Sequence, residues 1–116
     1  MKVNFSSNTV VFYSESEKKF IIISLNYRIL AFCINDNYVA LLEDWNHIDS
    51  GRNLHIYNSK GVFLFDVKPS PKALYKNGFY SSIGFESESI LIAQSCDFRF
   101  KIDLLTNEFI EEIYTM

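Results

Sequence analysis

Glycine and proline are scarce in this chain, four and two among 116 residues. So few chain breakers beside so many apolar residues argue against a disordered tract. Four glycines could hardly build a phosphate cradle, and no GxSxG, P-loop or dinucleotide-binding fingerprint occurs. Cysteine is limited to Cys33 and Cys96, neither in a CxxC pair nor near a histidine at ligand spacing. The expectation is two reduced, buried thiols, with a structural disulfide as the alternative. The two histidines, His47 and His55, form no HxxxH or HExxH pattern; surface positions are expected for both, and no metal or cofactor. The longest apolar runs, FIIIS and ILAFCI, have the length of strands rather than of a membrane span. Positive charge is also short: the net charge is −3 and the pI is near 5.3. That disfavours nucleic acid as a partner, because phosphate contacts need clustered Lys and Arg, and suits a basic protein. The opening MKVNFSSNTVVFYSE has polar residues where a signal peptide needs a continuous apolar core, so a cytoplasmic location is expected.

Aromatic residues are abundant, 11 Phe and 7 Tyr, within a hydrophobic content of 48%. They favour half-buried pleated strands, and the length suits a single all-β domain over residues 1–116. Segments 9–13 (TVVFY) and 19–25 (KFIIISL) flank the charged turn SESEKK as an opening hairpin. Segment 28–34 (RILAFCI) is nearly all apolar, the pattern of a strand covered on both faces, and NDN turns it into 38–44 (YVALLED). In 53–67, NLHIYNSKGVFLFDV, Leu54 and Ile56 alternate with His55 and Tyr57, Gly61 supplies a residue able to take positive φ, and Phe63, Phe65 and Val67 share a face. KPSPKALYKNG at 68–78 has the character of a linker. Strands are then expected at 79–85, 89–95, 98–103 and 108–114, the last chosen as a strand over a short helix.

The two halves repeat one another: each is strand, polar turn, strand, break, strand, polar turn, strand. Tyr57 and Ile102 hold equivalent places 45 positions apart, and four strands per unit of about 40–50 residues is the period of propeller blades. A closed propeller needs about four blades or more, so the expected architecture is antiparallel meanders stacked as an open, partial β-propeller of about two and a half blades. A β-sandwich is the alternative. Glu108, Glu111 and Glu112 on the last strand would discourage pairing at that edge.

Paired carboxylates occur at Glu15/Glu17, Glu43/Asp44, Glu86/Glu88 and Glu111/Glu112. Beside turns such pairs are usually solvated charges, so no catalytic residue is assigned and an enzyme is not expected. The segment EDWNHIDSGR (43–52) is more informative. It places the sole tryptophan, Trp45, among Glu43, Asp44 and Asp49, with Arg52 at its end. Trp and Arg are favoured interface anchors, and acidic neighbours complement a basic partner. The candidate partner-binding set is therefore Glu43, Asp44, Trp45, Asp49, Arg52, Glu86 and Glu88. A fold of Trp45 back onto the core is the competing reading.

LHIYNSKGVFLFDV resembles the strand-turn-strand of propeller repeats in which a short strand ends at Tyr-Asn, a Gly-containing turn follows, and the next strand is aromatic-rich. Taken whole, the chain resembles bacterial immunity proteins of the contact-dependent growth inhibition type, some of which have half-propeller β folds. The resemblance implies a cytoplasmic protein that neutralises a cognate toxin, often a nuclease, by tight stoichiometric binding, as a monomer or weak dimer. The alternative is a small-molecule or peptide-binding β module lined by Tyr13, Tyr27, Tyr38 and Tyr80.

Overall fold

The computed structural model describes residues 3–44, 52–69, 79–95 and 98–114. Alternating and aromatic segments throughout form strands, and among the described residues there is no helix and hence none able to cross a membrane. The described residues form eleven strands in three antiparallel sheets. The first is β1 (Val3–Ser6), β2 (Thr9–Ser14) and β3 (Lys19–Ser24). The second is β4 (Ile29–Ile34), β5 (Tyr38–Glu43), β6 (Leu54–Asn58) and β7 (Phe63–Asp66). The third is β8 (Ser82–Phe85), β9 (Ile90–Ser95), β10 (Phe98–Asp103) and β11 (Glu108–Tyr114). Each is a meander whose neighbours in sequence are neighbours in the sheet, so the fold is a stack of propeller blades, two of four strands and one of three.

Period-two alternation explains the stacking. Val10 and Phe12 of β2 with Ile21 and Ile23 of β3 are buried against Ile29, Val39 and Leu41 of the second sheet. The opposite face of the second sheet presents Ala40, Leu42, Leu54 and Ile56, which pack on Leu91, Ala93, Phe100 and Ile102 of the third. β5 is thus covered on both faces, with every residue from Val39 to Glu43 buried. That position was expected of 28–34, but β4 is only half-buried after Ile29 because it is the terminal strand of its sheet. Apolar content alone does not tell a central strand from an edge one.

Two further expectations change. β1 was not anticipated; VNFS is too short for its alternation to stand out, and a tight turn with Ser7 at φ 47° folds it onto β2. β8 is shorter than 79–85, because Tyr80 leaves the ladder and is buried in the core. The last segment is a strand, as chosen, and Gly61 takes φ 83° in the β6–β7 turn, where an added Cβ would overlap Ile21 Cγ2. Of the cysteines, Cys33 is a free thiol, half-buried in β4, and burial pushes it up to about 12. Cys96 lies outside the described residues.

Candidate functional site

Antiparallel meanders put all odd connections at one end of the stack and all even ones at the other. The end carrying the β3–β4, β5–β6 and β7–β8 connections is stitched by side chains. Glu43, 5% exposed at the end of β5, accepts the Tyr27 amide at 2.7 Å on Oε2 and meets His55 Nε2 at 2.7 Å on Oε1. The other ring nitrogen, Nδ1, lies 2.5 Å from Asp66 Oδ1, so the imidazole is clamped between two carboxylates facing the first sheet. His55 is therefore not the surface residue expected from its place opposite Leu54 and Ile56. Its partners are 12 and 11 positions away in sequence, and only strand register brings them together. With both nitrogens occupied, the ring has none open for proton transfer to a substrate. Desolvation, with the Asp66 and Glu43 charges adding to it, raises the pKa of neighbouring Tyr57.

Asn53, fully buried, ties the second sheet to the third. Its Nδ2 donates to Glu43 O (3.1 Å) and Tyr80 O (2.9 Å), while Oδ1 accepts the Tyr80 amide at 2.9 Å. Tyr80 in turn donates its hydroxyl to Lys68 O at 2.6 Å, and burial raises its pKa. Asp44, 8% exposed, lies 3.5 Å from the Arg28 guanidinium.

The opposite end holds the tight turns. Asn35 organises them: Oδ1 accepts the amides of Asn37 (2.9 Å) and Tyr38 (2.8 Å), and Nδ2 donates across to Glu88 O in the β8–β9 turn (3.1 Å). The Asn37 carbonyl accepts from Ser59 in the β6–β7 turn. On this frame stand five exposed carboxylates, Glu15, Glu17, Asp36, Glu86 and Glu88, against three exposed lysines, Lys18, Lys19 and Lys60; Glu17 lies 3.8 Å from Lys60, and Glu86 lies 2.8 Å from Lys101 of β10. Between the first two sheets a cleft of about 340 Å³ opens, with Phe12 and Tyr13 in its wall and Glu15, Ser16, Asn35 and Asp36 at its polar side. The polar side of the cleft suits a Lys or Arg side chain, which gains charge-assisted hydrogen bonds there.

The seven residues singled out from sequence do not form one surface. Glu43 and Asp44 are buried at the stitched end, where Arg52 is exposed; Glu86 and Glu88 stand at the turn end. β5 alone separates the two ends by about 17 Å, five steps of roughly 3.3 Å between its six residues. Trp45 and Asp49, like His47, lie outside the described residues. Reasoning from sequence missed Asp36 and left Glu15 and Glu17 as a solvated pair, because the convergence of separate turns is set by sheet stacking. The four tyrosines proposed as a lining are also dispersed: Tyr13 is in the cleft, Tyr27 at the stitched end, Tyr38 half-buried and Tyr80 in the core. Among the described residues no group of three or more His, Cys, Asp or Glu side chains could hold a metal ion.

The geometry defines a protein of the β-propeller class. No family model and no curated protein matches the chain. Among solved structures it is similar to the RRP9 WD40 repeats, at 13% identity and a TM-score of 0.64, over 97% of this chain and 35% of that one. It is also similar to the computationally designed Ika8 protein, at 15% identity and a TM-score of 0.57, over 98% of this chain and 36% of that one. The chain thus spans about a third of the length of either, and the likeness is one of fold.

Proposed function

We propose that this chain is a non-catalytic binding module that engages a basic protein partner through its turn end, and that the partner is a cognate toxin domain which it neutralises as an immunity protein. The observation that carries the reading is the turn end itself: five exposed carboxylates from three turns, gathered by the Asn35 hydrogen-bond frame, flank a cleft of about 340 Å³ between the first two sheets. Clustered negative charge steers a basic partner and speeds encounter, and the cleft gives one Lys or Arg a place to be desolvated. A nuclease toxin fits this chemistry because its own cleft is built to receive phosphate charge. The stack supplies a rigid platform, since the opposite end is locked by buried side-chain bonds.

The test is co-expression with the toxin domain encoded beside the chain's gene. Growth is expected to be restored, with a 1:1 complex on purification whose association slows with added salt. The double substitution Asp36→Lys/Glu88→Lys should abolish rescue while leaving the fold intact. Neither rescue nor complex with the wild-type chain would overturn the reading.

A further inference from the structure

The outward face of the third sheet holds a cation and a glycine that the fold does not use. Ile83 and Phe85 of β8, Leu91 and Ala93 of β9, and Phe100 and Ile102 of β10 pack inward, so the residues between them face out. Register sets these in two rows across the three strands: Ser82, Gln94 and Arg99 in one, Gly84, Ile92 and Lys101 in the next. The charge of Lys101 is taken up, because it lies 2.8 Å from Glu86 and 3.2 Å from Glu111. Arg99 is exposed in the row beside it, and its guanidinium makes no ion pair among the described residues.

Gly84 is the second unused feature. Glycine inside a strand gives up stability unless a positive φ, a bulge or a close approach requires it. Its φ is not positive, its pairing with Ile92 is in regular register, and a Cβ added to it would meet nothing within 4 Å. The fold has room for a side chain here and the sequence supplies none. The space left open is a shallow groove of about 290 Å³, lined by Ser82, Gly84, Ile92, Gln94 and Arg99. Glycine in such a place marks the close approach of a ligand to the strand.

We infer that this groove binds a small organic acid, a single carboxylate on a short branched or aromatic body. The planar fork of Arg99 matches the two carboxylate oxygens, and Ser82 in the same row adds a hydroxyl donor. The apolar body lies over Gly84 against Ile92, where a longer side chain on β8 would stand in its way. Charge selects a monoanion. Glu86 and Glu111 outnumber Lys101 beside the groove, so a phosphate dianion would meet net repulsion that one guanidinium does not offset. The volume falls at the small end of ligand sites, which begin at about 300 Å³, and so suits a body the size of a benzene ring. The groove lies on the strands of the third sheet, apart from the cleft between the first two, and the inference does not rest on the proposed toxin binding.

Titration of the isotope-labelled chain with sodium benzoate, followed by amide chemical shifts, tests it. Saturable shifts centred on Gly84, Ile92, Gln94 and Arg99 are expected, with a dissociation constant of about a millimolar for so small a ligand. Benzamide has the shape without the charge and inorganic phosphate the charge without the body; each should bind at least about tenfold more weakly. Arg99→Gln should weaken benzoate about tenfold or more, and Arg99→Lys, which keeps the charge and loses the fork, by less. Gly84→Val should weaken it as much while raising the urea midpoint, the opposite of what a glycine required by the fold would do. Asp36→Lys/Glu88→Lys should leave benzoate binding unchanged. Shifts that do not saturate, benzamide or phosphate binding as well as benzoate, or benzoate binding kept by both Arg99→Gln and Gly84→Val overturns the inference.

Discussion

Both ends of the strand stack are rich in carboxylates, yet the two sets act in opposite ways. At the stitched end Glu43 and Asp44 are buried and committed to partners within the chain: the Tyr27 amide, His55 and Arg28. At the turn end Glu15, Glu17, Asp36, Glu86 and Glu88 face solvent on turns that backbone and Asn35 bonds already satisfy, with only Glu17 beside Lys60 and Glu86 beside Lys101 paired at the surface. The same functional group is a structural staple where donors surround it and water is excluded, and a solvated surface charge, the one the proposed function draws on, where its turn needs nothing from it. Residue type decides neither role; the supply of donors and the depth of burial do.

Substitutions at the two ends should separate these roles. The largest effect is expected from Asn53→Ala, which orphans the buried amide and carbonyl of Tyr80 and costs about 3 kcal/mol, read as a lower urea midpoint. Glu43→Ala leaves the Tyr27 amide and Nε2 of the half-buried His55 without their acceptor and should cost about 2–3 kcal/mol by the same assay; a loss below roughly 0.5 kcal/mol would erase the contrast between the ends. At the turn end Gly61→Ala is the exception, costing about 2 kcal/mol through its positive φ and the overlap with Ile21. Asp36→Lys/Glu88→Lys, by contrast, should move stability by less than about 0.5 kcal/mol while removing partner binding, a split visible when denaturation and complex formation are measured on one sample.

The smallest effect concerns Cys33. Its folded pKa, about 12, lies above the ordinary 9.0. The thiol's contribution is therefore whole below pH 9 and is lost as pH rises towards 12, because the unfolded chain releases its proton first. Alkylation of Cys33 at pH 8, followed by peptide mass spectrometry, should be far slower than that of a free thiol. Rapid labelling would mean that β4 opens readily.

Much of the fold was legible because it rests on local patterns. Alternation of period two marked Phe63–Asp66, Ile90–Ser95 and Phe98–Asp103 as strands, Gly61 marked a turn, and the recurrence of Tyr57 at Ile102 marked the blade repeat. β1 escaped because four residues give alternation too little length, and β5 rather than β4 proved to be the doubly covered strand because centrality depends on which sheets flank it. The candidate site was less legible. Glu86 and Glu88 were correctly seen as exposed charges, but Glu43 and His55 looked like surface residues until register placed Glu43, His55 and Asp66 on one covered face.

By itself, the sequence determined that the chain is all-β, that its strands repeat as blades, and that its net charge is acidic, since period, turn chemistry and charge are properties of neighbouring residues. Only the tertiary structure decided which carboxylates are buried and which converge. Those depend on stacking between sheets, which joins residues 10 to more than 50 positions apart that no local pattern connects.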